Sequence, residues 1–192
     1  MPHPWNSRDA PLGLELRDAD PDHWADIRHL HALSFRHLTG PSLDPHQTTE
    51  LVGRIYEPDY SLMLQAQDLL VAWIDRQIVG TAGWVPFDGR GVTARITSVS
   101  VSPLFTRLGV GRRLVEATEA KASLAGYQDF AVRVFPPSAG FFETLGYARS
   151  AQGVQSLGAE GELPVVFMRK SHPSHTKSSP ETVAAARSTR RS

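Results

Sequence analysis

The stretch Ile96-Thr97-Ser98-Val99-Ser100-Val101-Ser102-Pro103-Leu104-Phe105-Thr106-Arg107-Leu108-Gly109-Val110-Gly111-Arg112-Arg113-Leu114 changes character twice. Its first part alternates, with Ile96, Ser98, Ser100 and Ser102 on one side and Thr97, Val99 and Val101 on the other. Alternation with β-branched residues predicts a strand. Pro103 has no N–H to give to a ladder, so the strand ends there. From Gly109 the period becomes helical: Leu114, Ala117, Thr118, Lys121 and Leu124 share one face. Gly126 is suited to close that helix. Two glycines, Gly109 and Gly111, thus stand where a strand becomes a helix.

Such a junction favours an anion. The first N–H groups of a helix lack internal acceptors, and the helix dipole puts partial positive charge there. Glycine lets a ligand approach the backbone closely. Phosphate oxygens suit this nest of donors, and Arg107, Arg112 and Arg113 add charge. No Gly-Lys-Ser/Thr follows, which excludes a Walker loop, and no third glycine completes a dinucleotide fingerprint.

Composition narrows the classes. A chain of 192 residues with 41% hydrophobic and 21% charged residues reads as one domain with a sizeable core. Formal net charge is +0, so no global basic field points to nucleic acid. The longest apolar run, Leu69 to Ile74, is too short to span a bilayer, and no membrane is expected. The start, Met1-Pro2-His3-Pro4-Trp5-Asn6, does not read as a signal peptide, and a cytoplasmic location is the default. There are no cysteines, which excludes thiolate catalysis and thiolate metal sites. Histidine spacings such as His29-x-His31 and His172-x-x-His175 lack carboxylate support, so no metal is expected.

In chain order, residues 1–11 read as a flexible lead-in. Leu12, Leu14 and Leu16 alternate as a first strand. Asp20 is placed to cap a helix opened by Pro21 and continued by Trp24, Ile27, Leu30, His31, Leu33 and Phe35, broken at Thr39-Gly40-Pro41-Ser42. A second helix is expected from Pro45 to Tyr56, then a turn at Pro58-Asp59-Tyr60-Ser61. Leu69–Ile74 and Ile78–Val85 form a hairpin around Asp75-Arg76-Gln77. A turn at Asp88-Gly89-Arg90-Gly91 leads to the strand Thr93–Val101 and the helix Val110–Ala125. Phe130–Phe135 is a strand, Ser138 is placed to cap a short helix to Leu145, and Gly146-Tyr147 enters a further strand. Glu162 to Arg169 is the last strand. Residues 172–192 read as a disordered basic tail, with Lys177, Arg187, Arg190 and Arg191 against Glu181.

The order is strand, two helices, three antiparallel strands, helix, strand, helix, strand, strand. Together with Val101-Ser102-Pro103, Gly109-Val110-Gly111, Ile78-Val79-Gly80 and Gly140-Phe141-Phe142-Glu143-Thr144-Leu145-Gly146-Tyr147, it resembles the GNAT (GCN5-related N-acetyltransferase) superfamily over residues 12–171. The resemblance implies an α/β (α+β) fold: a mixed, mostly antiparallel sheet with a splayed parallel strand pair and helices on both faces. It implies acetyl-CoA as co-substrate, held between Thr97–Val101 and Phe130–Phe135. The backbone of Val99 and Val101 would pair with pantetheine amides. The diphosphate would sit on the N–H groups of Leu108, Gly109, Val110, Gly111 and Arg112, with Arg107 and Arg112 reaching phosphates. Thr106 stands where the family has Arg or Gln.

The implied reaction is acyl transfer to a small-molecule or protein amine. Here the chain departs from its family twice: Thr97 replaces a Glu before the loop, and Phe142 replaces a Tyr general acid. The catalytic candidates are therefore Thr97, Ser138, Tyr147 and His31. Glu50, Tyr56 and Tyr60 fall in the region that shapes the acceptor pocket. The departures also motivate a second reading, a CoA-binding module without efficient transfer. A third is an unrelated α/β phosphate binder. A homodimer is left open, with Trp73, Trp84 and the last strand available to an interface.

Overall fold

The computed structural model describes residues 13–39, 43–87, 91–156 and 161–171. The lead-in, Leu12, the turn at 88–90, Gly40-Pro41-Ser42 and the tail with His172 and His175 lie outside the described residues.

Strand β1 (Glu15–Asp18) begins later than its leucine alternation suggests. Asp20 caps as expected, its carboxylate accepting from Asp22 N–H at 2.9 Å. The capped turn, Pro21–His23, is a 3-10 helix that runs into α1 (Trp24–Thr39). Helix α2 (Pro45–Ile55) opens with a capping box between Asp44 and Gln47 and buries Leu51, Val52 and Ile55.

Pro58-Asp59-Tyr60-Ser61 is not a turn but the start of a third helix, α3 (Pro58–Gln65). Pro58 sits within the first turn, where its missing N–H costs nothing. Leu64, fully buried with Ile27, Leu69 and Val71, supplies the tertiary contact that carries the helix past one turn.

The hairpin β2 (Asp68–Ile74) and β3 (Gln77–Pro86) turns through Asp75 and Arg76, both at positive φ (48° and 63°). Two left-handed residues match the twist of the flanking strands. Next come β4 (Thr93–Val101) and α4 (Val110–Leu124), the latter closed by Gly126 at φ 100°. The chain ends with β5 (Asp129–Val134), the short α5 (Ala139–Glu143), β6 (Ala148–Ser156) and β7 (Glu162–Ser171).

These strands form one sheet in the order β1-β2-β3-β4-β5-β7-β6. Every neighbouring pair is antiparallel except β4–β5. Helices α4 and α5 cover one face, where Ile96, Val115, Phe130, Val132, Phe142 and Met168 are buried together. On the other face Ile27 of α1 and Leu64 of α3 pack on Leu69 and Val71. β2 is thus buried on both sides, and its sequence is correspondingly a continuous apolar run.

Helix α4 lies tight against β3. A Cβ on Gly80 would stand 2.7 Å from Leu114 Cδ1 and 3.0 Å from the Ser100 carbonyl oxygen. Gly80→Ala should therefore cost about 1–3 kcal/mol through forced backbone movement. Urea unfolding checks this; an unchanged midpoint would refute the close approach.

Candidate functional site

Strands β4 and β5 pair from Thr93↔Asp129 to Ile96↔Val132 and no further. Beyond that, β4 stays with β3 through Gly83↔Thr97, Thr81↔Ser100 and Gly80↔Val101. β5 stays with β7 through Arg133↔Phe167 and Val134↔Val166. The two strands therefore fork. On β5 the fork is bordered by Arg133 and Val134; Phe130 to Val132, read from sequence as part of the flank, lie in the paired portion.

The fork coincides with a bulge. Three steps of β4, Thr97 to Ser100, face two steps of β3, Gly83 to Thr81, and Ser98 takes φ 51°. This corrects the alternation read from sequence. Ala94 and Ile96 pack in the cluster under α4, and so do Val99 and Val101 after the bulge. Thr97 and Ser98, expected on opposite sides, both donate their hydroxyls to Gln67 Oε1, at 2.5 and 2.9 Å. Gln67 Nε2 donates to Met63 O at 2.9 Å, which fixes the amide orientation.

A hydrogen-bond chain crosses the same place. The Thr81 hydroxyl donates to the Ser98 carbonyl at 2.7 Å. Thr81 Oγ1 lies 2.7 Å from His31 Nε2, and Tyr60 Oη lies 2.9 Å from His31 Nδ1. The carbonyl only accepts, so Thr81 must accept from Nε2–H, and Nδ1 in turn accepts from the Tyr60 hydroxyl. His31 is thus a neutral imidazole with both nitrogens engaged. Burial pulls its pKa down to about 4 and pushes Tyr60 up to about 12. The sequence offered His31 no fixed partner; the fold supplies two. Thr81, a polar residue within the apolar run of β3, is the one signal in the sequence that could have led to the chain.

At the other end of β4 the Ser34 hydroxyl donates to the Val101 carbonyl at 2.9 Å, leaving that oxygen a second lone pair. A 3-10 turn, Pro103–Phe105, follows, with Thr106 Oγ1 donating to the Pro103 carbonyl at 3.0 Å. Arg107 (φ 64°) and Gly109 (φ 80°) are left-handed, and Gly109 is the N-cap of α4. The N–H of Arg113 reaches the Gly109 carbonyl at 3.1 Å. The amides of Val110, Gly111 and Arg112 precede it and have no acceptor within the helix. This first turn sits over the fork: a Cβ on Gly111 would lie 3.5 Å from Val101 Cγ2 and 3.2 Å from Phe141 Cζ. Arg107 and Leu108 are exposed. The Arg112 guanidinium reaches Thr144 Oγ1 at 3.5 Å and Glu116 at 3.6 Å, beside α5.

The remaining candidates are scattered. Tyr147 is buried under α4 and donates to Glu119 Oε1 at 2.7 Å, and Lys170 Nζ lies 2.5 Å from Glu119 Oε2. Burial and then the Glu119 charge push the Tyr147 phenol far above its ordinary pKa. Phe142 packs edge-on against that ring in the same core. Ser138, expected as a helix cap, forms no side-chain cap bond; its N–H donates to the Phe135 carbonyl at 2.9 Å. Among the described residues no group of three or more His, Asp or Glu side chains is placed to hold a metal ion. Nor is any described helix long and apolar enough to cross a membrane.

This forked sheet, with a helix N-terminus over its mouth, can receive an extended chain of amides with an anionic end. The chain belongs to the GNAT acetyltransferase family, whose model matches residues 24–147. Its fold is similar to that of a GCN5-related N-acetyltransferase from Rhodopseudomonas palustris. That likeness has a TM-score of 0.71 at 23% identity, over 82% of this chain and 94% of that one. It is also similar to yncA from Salmonella typhimurium, seen with its cofactor acetyl-CoA, at TM-score 0.60 and 20% identity over 88% and 98%. A third is the paiA N-acetyltransferase of Thermoplasma acidophilum, in complex with coenzyme A, at 0.60 and 14% over 84% and 100%. Identities this low speak for the fold. No curated protein matches the chain.

The His31 chain sets a pH dependence. Its folded pKa, about 4, lies below the ordinary 6.5, so unfolding releases a group that takes up a proton more readily. The stability from neutral His31 is complete above about pH 6.5 and is lost as pH falls toward 4, by ~3 kcal/mol at most. The stability difference between the parent and His31→Gln, measured by urea unfolding, should shrink by that amount from pH 7 to pH 4. A difference constant with pH would contradict the neutral, buried imidazole.

Proposed function

We propose that this protein is an acyl-CoA-dependent N-acetyltransferase. In this reading it passes an acetyl group to a primary amine by direct attack within a ternary complex. The observation that carries the proposal is the fork itself, open past Ile96–Val132 and capped by the unpaired amides of Val110, Gly111 and Arg112.

The residues present suit acetyl-CoA. A strand edge released from its neighbour can pair with an extended chain of amides, and β4 at Val99 and Val101 offers that edge. The amides at the start of α4 suit a diphosphate, and Arg107 and Arg112 are near enough in sequence to add forked donors. Acetyl-CoA, when bound, supplies an activated thioester. The chain then has to place an amine beside it and take up a proton.

An alkylamine has a pKa of ~10 and must lose its proton before attack. The hydroxyls of Thr97 and Ser98 gather on Gln67 at the bulge and can hold a water that carries the proton away. The backbone N–H at Val99, beside the bulge, is the candidate donor to the thioester oxygen. Tyr147 has no part in this reading, because its buried hydroxyl is committed as a donor to Glu119. Holding two substrates together can by itself remove much of the barrier.

That same tie favours a second reading, a CoA-binding protein without efficient transfer. The two part on one experiment: acetyl-CoA with a panel of small amines and amino-terminal peptides, following released thiol. Turnover of at least one amine supports the enzyme; CoA binding without turnover across the panel supports the module. In parallel, Gly111→Trp should weaken CoA at least tenfold by calorimetry while its melting transition persists. Arg112→Glu, a charge reversal beside the same amides, should act in the same direction. Unchanged affinity in both would remove the α4 loop from the cofactor site.

A further inference from the structure

One face of the sheet next to the fork carries an arginine array that nothing above employs. Alternation assigns the face. Phe130, Val132 and Val134 of β5 and Val166 and Met168 of β7 are buried under α4 and α5. Ala131 and Arg133 therefore point the other way, as do their partners across the strands. The register places Arg95 of β4 and Arg169 of β7 on either side of Ala131, and Arg169 beside Ala148 of β6. One step nearer the fork, Arg133 pairs with Phe167, which pairs with Ala151. Three guanidinium groups thus stand on three adjacent strands above a floor of alanines.

All three arginines are exposed. Phe87 and Phe167 are 43% and 39% exposed. The Phe87 ring lies between two of the arginines, 5.7 Å from Arg95 Cζ and 6.0 Å from Arg169 Cζ. Cation–π contact holds these side chains upright without neutralising them. Among the described residues none of the three arginines has an ion-pair partner, while Arg17, Arg112, Lys121, Arg149 and Lys170 each have one. The described residues of this face hold one carboxylate, Asp129, at its far end beside Thr93 and Ser171. Three guanidinium groups without a carboxylate partner are thus gathered on one face, on adjacent strands.

We propose that this face seats an acidic segment of a protein acceptor, its carboxylates forked by Arg95, Arg133 and Arg169 and its backbone lying over Phe87 and Phe167. The inference rests on the N-acetyltransferase reading and narrows its substrate class. Arg95 and Arg169 sit two strand spacings apart, roughly 10 Å. Carboxylates two or three residues apart on an extended chain span about 7–10 Å, so one segment can meet both. Arg133 lies where β5 enters the fork, so a segment held here brings its amine end toward Thr97 and Ser98. Guanidinium suits this role, because its planar fork matches a carboxylate bidentately and it is weakly hydrated.

The test uses the full chain with CoA present and two fluorescent octapeptides with free amino termini, Ala-Glu-Glu-Ala-Glu-Glu-Ala-Ala and its counterpart with Gln for each Glu. Anisotropy should show the acidic peptide binding at least tenfold more tightly than the amide peptide, with affinity falling as salt rises. The R95Q/R169Q double variant should lose about tenfold for the acidic peptide alone. R76Q, in the β2–β3 turn, should lose nothing. Equal binding of the two peptides, or an unaltered double variant, overturns the proposal. Preferential binding of a twelve-residue oligothymidylate overturns it in favour of nucleic acid. Mass spectrometry of the same peptides with acetyl-CoA separates this inference from the one beneath it. Arginine-dependent binding without acetylation supports the docking face and counts against transfer. Equal acetylation of both peptides keeps the transferase and removes the docking face.

Discussion

Backbone hydrogen bonds between β4 and β5 run for four residue pairs and then cease, and the rest of the site follows from that cessation. Each strand keeps its outer neighbour, β3 for one and β7 for the other, so neither frays. The inner edges are left with donors and acceptors that no strand satisfies, and buried backbone groups of that kind demand partners. An extended chain of amides is a natural partner. The first turn of α4 lies over the mouth of the same gap, so an anionic end of such a chain meets unpaired N–H groups without further arrangement.

The bulge at Ser98 is the local means by which β4 parts from β5. It adds a residue on one side of a ladder, holds a serine in the left-handed region, and reverses which side chains face α4. A non-glycine residue there is strained, and the strain is opposed by bonds from several elements. Thr81 holds the Ser98 carbonyl, Gln67 holds its hydroxyl, and His31 with Tyr60 fixes Thr81 from behind. The residues come from α1, α3, the α3–β2 loop and β3. The helical layer on that side therefore bears on the backbone geometry of the site as well as on the core.

Charge is partitioned across the sheet. On α4 Glu119, the one buried carboxylate among the described residues, is matched by Lys170 and accepts a hydrogen bond from the Tyr147 hydroxyl, a closed arrangement. On the opposite side the buried polar groups are neutral and directional. Lys121, tied to Asp18 and Asp68, is held above its ordinary pKa because those two carboxylates outweigh the burial that would lower it. Three arginines with no carboxylate partner among the described residues stand instead on exposed strand positions near the fork.

Much of the fold is local and was legible. The strand–Pro–Gly–helix junction, the Asp20 cap, the second helix with Leu51, Val52 and Ile55 inward, and the Asp75-Arg76 turn each rest on contacts a few residues apart. Helix α3 was not legible, because eight residues after a proline look like a turn until Leu64 packs with Ile27 on one face of the sheet. The phase reversal in β4 was hidden for a related reason. A bulge is chosen by the pairing of two strands, and the alternation of one strand carries no trace of it. His31, Tyr60, Thr81 and Gln67 are far apart in the chain, and no spacing rule joins them.

The sequence by itself determined the order of the strands, the glycine-bearing loop and the absence of cysteine chemistry, since propensity, capping and composition act within short spans. Only the tertiary structure decided where two parallel strands separate, which hydroxyls meet at the bulge, and which arginines are left without a carboxylate. Those are outcomes of register and of packing between distant segments, and register exists only once strands are paired.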